Sequence, residues 1–491
     1  MDARDTYAVS RWLFVRLLAL VYFFAFWSLA LQITALVGSD GILPAREYMT
    51  ALRLFADDHQ IGINRFHLWP TLCWFGTSDR FLQLLCVGGV AMAALLLLVG
   101  VAPALLLLLL WVDYLSLSLV CRDFLSFQWD ALLLETGLLA VVFAPAGLRD
   151  RLDRAADPPR VARWLLWWLL FRLMFGSGVV KLASGDPTWR GLTALTVHYE
   201  TQPLPTPIAW YVALLPAAVH KVCTAIVLGI ELAAPWFLFG PRRLRLAASG
   251  ILAGLQAVIA LTGNYAFFNL LSLALIVLLV DDRAFASVSK LSRGRITDPP
   301  PRRAVPWPSW VLACLTVPTT VVILAGQLGI ELPGSAVIAP LADVVEPSRS
   351  VNSYGLFAVM TTTRPEIIVE GSDDGVTWLA YEFKDKPGDM QRALPVVAPF
   401  QPRLDWQMWF AALGRYEQER WYQSFCLRLL EGKPAVVGLL ARDPFHGKGP
   451  KFVRGVLYRY RFSGRDEHRA TGAWWIRERL GPYSPPMSLG Q

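Results

Sequence analysis

The chain has 491 residues, of which 55% are hydrophobic and only 17% are charged, and its mean hydropathy is +0.43. A soluble protein of this size would carry more charge, about 25%. The apolar residues fall in runs of about 20, the length that spans a bilayer as a helix. The sequence therefore predicts a polytopic helical membrane protein. Its net charge of +8 comes without a zinc finger, an RNP motif or a basic-aromatic stripe, which argues against nucleic-acid binding.

The first apolar run, residues 12–36, is too long for the core of a cleaved signal peptide, so we interpret it as the first membrane anchor. Apolar runs of similar length recur along the first two thirds of the chain. We predict nine spans: 12–36, 81–100, 102–120, 129–147, 162–183, 218–240, 244–263, 265–281 and 307–330.

Arginine and lysine are concentrated in alternate loops. The loops at 148–163, 241–246 and 282–306 are rich in arginine, whereas the intervening short loops contain only Arg122 and Arg190. Because cytoplasmic loops carry the excess of positive charge, the N-terminus is predicted to be cytoplasmic.

The predicted orientation places several segments on the exoplasmic side of the membrane. These are loops 37–80 and 184–217 and a C-terminal domain over residues 331–491, which follows a transmembrane bundle over residues 1–330. The compartment would be the periplasm beyond a bacterial inner membrane, the expected location, or the lumen of the endoplasmic reticulum in a eukaryote.

The predicted spans contain ionisable side chains, which are costly in a bilayer and normally face the bundle interior in pairs. Arg172 lies at mid-span, at the depth of Asp113 and Glu231, so we predict that it pairs with one of these carboxylates. Such a pair is either a structural link between helices or part of a functional site.

Lys181 lies at the exoplasmic end of its predicted helix. Asp130 and Glu135 are at the same depth, and Glu200 follows in the next loop, so we predict that Lys181 lies close to one of these carboxylates. Lys181 is a structural staple in one interpretation and a candidate catalytic base in the other.

The loop after Lys181 combines polar and aromatic residues at the mouth of the bundle. His198 is interpreted as a hydrogen-bonded loop histidine or, less simply, as a catalyst. His198 and His220 lack the spacing of metal ligands, so no metal site is predicted. The six cysteines show no C-x-x-C spacing and are interpreted as small buried side chains rather than as disulfides, a redox motif or a zinc site.

Residues beyond 333 change in character, toward short apolar segments bounded by Gly, Pro and Asp. The segments 354–360, 366–372, 376–383, 435–440 and 453–462 are predicted as strands, and 403–414 and 419–432 as helices. The residues 373–375, Asp-Asp-Gly, are predicted to turn a hairpin. We expect a β-sandwich with inserted helices.

Several ordered motifs resemble the lipase maturation factor family. They are "FQWDALLLETG" (127–137), "FRLMFGSGVVKLASGDPTWRGLTALTVHYETQPLP" (171–205), "LTGNYAFFNLL" (261–271), "NSYGLFAVMTTTRPEIIVEGSDDGVTW" (352–378), "PFQPRLDWQMWFAALG" (399–414) and "LYRYRF" (457–462). The resemblance implies a membrane-embedded factor that helps exported proteins such as lipases to fold and assemble, with lipids and a client protein as partners and without a cofactor. The motif positions carried over are Asp130, Glu135, Lys181, Asp186, Trp189, His198, Tyr199, Glu200, Gln202, Asn264, Asn269, Arg364, Glu370, Asp405 and Trp409.

The stretch "VVKLASGDPTWRGL" (179–192) is also distantly similar to the membrane domain of vitamin K-dependent gamma-carboxylase. This second resemblance implies an alternative function, a membrane enzyme acting on a quinone or lipid with Lys181 as its base. A transporter is a third possibility, but no inverted repeat is evident.

Overall fold

The computed structural model describes residues 6–150, 152, 157–288 and 307–490. Parts of two predicted basic loops, at 151, 153–156 and 289–306, lie outside the described residues.

The N-terminal part is a bundle of apolar helices. Among the described residues, seven helical segments are long and apolar enough to cross a membrane. They are α1 (Ala8–Ala30), α3 (Asp79–Leu98), α4 (Pro103–Val120), α6 (Arg160–Ala183), α8 (Ala217–Ala233, continued as a tighter helix to Phe239), α9 (Arg242–Thr262) and α11 (Trp307–Gln327). The amphipathic helix α2 (Ala45–Asp58) lies between the first two.

Two of the nine predicted spans are shorter than expected. The segment predicted at 129–147 forms α5 (Gln128–Phe143), which ends just before Pro145, and the segment predicted at 265–281 forms α10 (Phe268–Val277). Both are largely buried. The helices α1, α4 and α6 are mostly buried too, whereas only about a third or less of α3, α8, α9 and α11 is buried.

Hydrogen bonds show that the loops of the bundle form two sets, one at each end of the bundle. At one end, Arg16 donates to the carbonyl oxygens of Leu96 and Asp150, at 2.8 and 3.1 Å. At the other end, Arg428 donates to the Gly41 carbonyl at 2.9 Å, and Gln407 donates to that of Asp123. The C-terminal domain therefore packs on the end at which loops 31–78, 121–127 and 184–216 emerge.

The remaining helices are α7 (Ala194–Thr201), α12 (Ser335–Val345), α13 (Arg403–Leu413) and α14 (Arg420–Leu430). The last two confirm the predicted helices at 403–414 and 419–432. Shorter helices cover Ile33–Val37, Arg65–Leu68, Pro187–Arg190, Pro207–Ala213, Asp282–Val288, Pro434–Val437 and Arg465–Thr471.

The C-terminal domain contains an antiparallel sheet of four strands in the order β2-β1-β5-β6. Its strands are β1 (Arg364–Ser372), β2 (Leu379–Ala380), β5 (Phe452–Phe462) and β6 (Trp475–Met487). A separate pair is formed by β3 (Glu382–Phe383) and β4 (Leu440–Arg442). Instead of the expected β-sandwich, the described residues thus form one sheet and a small strand pair with helices around them.

Two predicted strands, 366–372 and 453–462, are confirmed as β1 and β5, which pair in register from Arg364–Tyr460 to Ser372–Phe452. The hairpin turn is confirmed as well. The Asp374 carboxylate accepts the amides of Val376 and Thr377 at 2.8 and 2.7 Å, and Gly375 takes the left-handed conformation with a φ of +75°.

The other strand predictions need correction. The segment at 354–360 has no strand, because it runs as an irregular chain against the bundle. The segment at 376–383 is divided into β2 and β3, and the one at 435–440 begins as the short helix Pro434–Val437. The six cysteines are free, and four of them are buried: Cys73, Cys86, Cys121 and Cys426.

Candidate functional site at the junction of bundle and C-terminal domain

The segment that leads into the C-terminal domain, residues 349–360, lies along the ends of α5 and α6. Tyr354 is buried, and its hydroxyl donates to the Glu135 carboxylate at 2.7 Å. Gly176 in α6 permits this approach, since a Cβ atom there would lie 3.0 Å from the Tyr354 carbonyl oxygen. We call residues 349–360 the entry segment.

Arg172 forms its ion pair with Glu135, one helix away, and also donates to the Asn352 carbonyl of the entry segment at 3.0 Å. The prediction that Arg172 pairs with Asp113 or Glu231 was therefore wrong. The depths read from the sequence were misleading, because Glu135 was placed level with Lys181 and Glu231 level with Arg172, whereas each carboxylate pairs with the other cation. The Arg172–Glu135 pair links the bundle to the entry segment rather than joining two helices alone.

Lys181 donates to both carboxylate oxygens of Glu231, at 2.5 and 2.6 Å, and both side chains are buried. The prediction of a partnership with Asp130, Glu135 or Glu200 was wrong for the same reason. The ammonium group also lies 5.0 Å from the centre of the Trp189 ring, within range of a cation–π interaction. Lys181 thus joins α6 to α8 beneath the loop that carries Trp189.

Asp130, at the start of α5, pairs with Arg403, the first residue of α13 in the C-terminal domain. The guanidinium is fully buried and donates to both Asp130 oxygens at 3.1 and 3.2 Å and to the Phe124 carbonyl at 2.6 Å. The Tyr114 hydroxyl donates to the same carboxylate.

Gln32 extends this cluster. Its carboxamide donates to the Gln401 carbonyl at 2.8 Å and accepts the Arg403 amide at 3.0 Å, and Trp129 donates to the Gln401 side chain. We call Gln32, Tyr114, Asp130, Gln401 and Arg403 the ion-pair contact.

A second contact depends on Arg364, the first residue of β1, which is fully buried. Its guanidinium donates to the carbonyls of Glu200 and Pro203, both at 2.7 Å, and to that of Gln202. It also pairs with Glu366 at 2.7 Å. One side chain of the domain therefore binds three carbonyls, one in the last turn of α7 and two in the loop that follows it.

Two further side chains bind backbone groups across the same boundary. Asn264 donates to the carbonyls of Leu204 and Pro395, at 3.1 and 2.9 Å, and accepts the amides of Val397 and Ala398 at 2.7 and 3.0 Å. Trp409 donates to the Thr201 carbonyl at 2.9 Å. We call Arg364, Asn264, Trp409 and residues 200–204 the carbonyl contact.

Residues of α7 and of the segment before α10 lie beside the carbonyl contact on its bundle side. Tyr265 donates to the Gln202 carboxamide at 2.8 Å and lies 3.3 Å from His198 Nε2. The His198 ring meets the Phe357 ring edge-on at 4.8 Å. Burial and the nearby Lys181 charge lower the pKa of His198 to about 4, which favours its neutral form.

Other motif residues in this region have structural partners too. The Asp186 carboxylate accepts the Thr188 amide at 2.6 Å, which caps the short helix Pro187–Arg190, and the Met360 amide at 2.7 Å. Burial raises the pKa of Glu200, whose side chain accepts the Phe462 amide at 2.9 Å. Burial also raises the pKa of Tyr199 to about 12.

Four predicted residues lie elsewhere. Asn269 donates to Gln256 inside the bundle at 2.9 Å, Glu370 pairs with Arg454 at 2.8 Å, and Asp405 accepts the Lys386 amide at 2.9 Å. Asp113 is buried in α4, and one of its oxygens has no hydrogen-bond partner among the described residues.

The sequence did not reveal Arg403, Tyr354 or Gln32 as members of the junction. Arg403 directly follows a proline at a helix start, and an arginine in the first turn of a helix is expected to be exposed. In the structure it is fully buried against Asp130. The buried Asp130 in a predicted span was the available signal that a distant cation was needed. In the part of the chain that the structure describes, no group of three or more His, Cys, Asp or Glu residues is placed to hold a metal ion.

The chain matches two family profiles that divide it at this junction. The profile of the lipase maturation factor transmembrane domain matches residues 9–287, and that of the lipase maturation factor C-terminal domain matches residues 350–485. No solved structure matches the chain.

Curated relatives match over almost the whole chain. Lipase maturation factor 2 of Homo sapiens is 37% identical, over 98% of this chain and 83% of the relative. Lipase maturation factor 2 of Gallus gallus is 38% identical, over 98% and 81%, and lipase maturation factor 1 of Bos taurus is 34% identical, over 98% and 90%. This chain belongs to the lipase maturation factor family.

Proposed function

We propose that this protein is a membrane-embedded factor for the folding and assembly of exported proteins, with lipases as its clients. The relatives carry the name lipase maturation factor, and they share both the bundle and the C-terminal domain with this chain. The proposal transfers the activity implied by that name to this chain.

The observation that carries the proposal is that motif residues bind the C-terminal domain to the bundle. Arg364, Asn264 and Trp409 hold the C-terminal domain against the loops of the bundle through buried hydrogen bonds. A domain mounted in this way presents one fixed surface at the membrane boundary, which suits a factor that holds a client during assembly. A catalyst would instead be expected to direct its distinctive polar residues into a substrate cavity.

The proposal includes an orientation. The C-terminal domain would be exoplasmic and the N-terminus cytoplasmic, with α5 and α10 completing nine passes between the two sets of loops. The positive charge of loops 148–163 and 241–246 supports this orientation. A reporter fused after Gln491 should be active only in the exported compartment, and cytoplasmic activity would contradict the orientation.

The function is tested in cells whose own lipase maturation factors have been deleted and which express a secreted dimeric lipase. Expression of this chain should restore secreted lipase activity and the dimeric fraction. The variant Arg364→Ala should reduce the rescue, and Arg454→Ala, at a partly exposed arginine of the same domain, should retain it. Unchanged lipase secretion at a normal level of the wild-type chain would contradict the proposal.

The enzyme alternative makes a different prediction for Lys181. Its amine already donates to both oxygens of Glu231, which favours a structural staple over a free base. The single variant Lys181→Met should destabilise the protein, because it leaves a buried carboxylate unpaired. The double variant Lys181→Met/Glu231→Met should recover stability and function. A stable double variant without function would favour the enzyme.

A further inference from the structure

A pocket of about 380 Å³ lies beside the bundle, at the end that carries the C-terminal domain. Three parts of the chain form its walls: residues 66–75 before α3, residues 111–116 of α4, and residues 344–348 at the end of α12. Its volume is within the range of pockets that bind small molecules, about 300–1,000 Å³. None of the residues discussed in the junction above lines it.

The pocket offers apolar surface and few available polar groups. The hydroxyl of Thr71 donates to the Ser116 carbonyl at 3.1 Å, and that of Ser116 donates to the Val112 carbonyl at 2.7 Å. The hydroxyl of Ser348 donates to the Val345 carbonyl at 2.6 Å. Among the described lining residues only His67 is titratable, and it is exposed. The chemistry of the pocket therefore fits a hydrocarbon rather than a polar or charged ligand.

An exposed apolar stripe of α4 runs into the pocket. Leu105, Leu108 and Leu109 are 55%, 39% and 42% exposed, and Val112 follows at the helical spacing of three or four residues. Since exposed leucines on a membrane-spanning helix face lipid, this stripe connects the pocket to the hydrocarbon of the bilayer. One turn further along, Leu115 is buried beneath the wall formed by residues 66–75.

The mouth of the pocket is surrounded by more exposed apolar side chains. Phe75 and Val344 line the pocket and are 77% and 53% exposed, and Ile63, three residues before the lining residue Phe66, is 81% exposed. In water these residues would form an apolar patch of the kind that marks a membrane or partner contact. Ile63 and Phe75 lie in the segment before α3, which begins at Asp79, and this places them at the boundary of the bilayer.

We propose that this pocket binds one acyl chain of a membrane lipid. The acyl chain lies along the stripe from Leu105 to Val112. Its methylene groups nearest the headgroup fill the space between Phe66, Phe75 and Val344. The proposal rests on the continuity of the pocket with the lipid-facing surface, and it is independent of the client on which the protein acts.

The test uses the full-length protein in phosphatidylcholine vesicles that contain a small fraction of phosphatidylcholine with a photoactivatable diazirine on one acyl chain. After irradiation, labelled peptides are identified by mass spectrometry. We expect labelling to concentrate in residues 66–75, 111–116 and 344–348, above that of the lipid-facing helix α8. Equal labelling of all lipid-facing helices would overturn the proposal.

A filling variant makes the test specific. Val112→Trp should abolish most of the labelling of the pocket peptides, because the indole ring fills the space that the acyl chain would occupy. The matched control Val222→Trp, on the exposed face of α8, should leave pocket labelling unchanged. If Val112→Trp fails to fold, Val344→Trp at the mouth replaces it. Unchanged pocket labelling in a folded filling variant would also overturn the proposal.

The other candidate occupant is an apolar segment of a client protein. If the pocket stays unlabelled by lipid while a co-purified polypeptide cross-links to residues 66–75, the occupant is a protein and the proposal fails.

Discussion

The two contacts that hold the C-terminal domain on the bundle use different chemistry. In the ion-pair contact, side chains bind side chains: the fully buried Arg403 meets the carboxylate of Asp130. In the carbonyl contact, side chains bind backbone: Arg364 donates to the carbonyls of Glu200, Gln202 and Pro203. The first contact thus depends on the identity of both partners, whereas the second depends on one side chain and on the path of the other segment.

This difference predicts where each contact tolerates substitution. An ion pair can be replaced as a unit but not by halves, because the remaining buried charge is left unpaired. Backbone carbonyls persist whatever residue carries them, so the segment at 200–204 should tolerate substitutions that keep its path. The residue that binds those carbonyls should tolerate almost none.

The largest effect is expected at the ion-pair contact. The variant Arg403→Met leaves Asp130 buried without its cation and should lower the free energy of unfolding by about 3–5 kcal/mol, measured by thermal unfolding in detergent. The double variant Asp130→Leu/Arg403→Met should be more stable than Arg403→Met alone. A double variant as unstable as the sum of the two single variants would show that the pair does not act as a unit.

In the carbonyl contact, the two sides should differ in how well they tolerate substitution. The variant Arg364→Lys keeps the charge but loses the planar fork that reaches several carbonyls, and it should cost about 2–4 kcal/mol. Pro203→Ala keeps the carbonyl and should cost about 1 kcal/mol or less. Denaturation of both variants under the same conditions gives the comparison, and equal losses would contradict a contact based on backbone carbonyls.

The stability of the protein as a function of pH tests the role of His198, which lies beside the carbonyl contact. His198 has a pKa of about 4 in the folded protein, against an ordinary value of 6.5, so the unfolded chain binds the extra proton first. Stability should therefore be highest above about pH 6.5 and fall as the pH approaches 4.

The size of the His198 contribution is about 1–2 kcal/mol once the partial exposure of the ring is considered. The variant His198→Gln should lose that part of the pH dependence while the carboxylates of the domain titrate as before. An unchanged pH profile in His198→Gln would show that the imidazole does not contribute.

The smallest effect is expected at a motif residue outside both contacts. Glu370 pairs with Arg454 on the sheet, where both side chains are partly exposed. The variant Glu370→Gln should cost about 1 kcal/mol or less, because exposed ion pairs contribute little. A loss as large as that of Arg403→Met would mean that resemblance to the family, rather than position at the junction, determines the importance of a residue.

Much of the architecture could be predicted because it depends on local patterns. Apolar runs of bilayer length predict helices wherever they occur, and seven of the nine predicted spans are helices long enough to cross a membrane. The strands β1 and β5 are rich in β-branched or aromatic residues between breakers, and this composition favours a strand both where the segment is almost wholly buried, as in β1, and where it is partly exposed, as in β5. The strand β6 was missed because it contains Pro482, Pro485 and Pro486, which are tolerated there since it lies at the edge of the sheet.

By itself, the sequence determined that buried charges would need partners, since a lone charge in a bilayer is too costly to keep. Only the tertiary structure decided the partners: Glu135 for Arg172, Glu231 for Lys181, and Arg403 for Asp130. The position of a residue in a predicted span determined neither its level nor its neighbour, because both depend on how all the helices shift, rotate and pack against one another. For Asp130 the partner lies 273 residues along the chain, in a domain that reaches it only once the fold is complete.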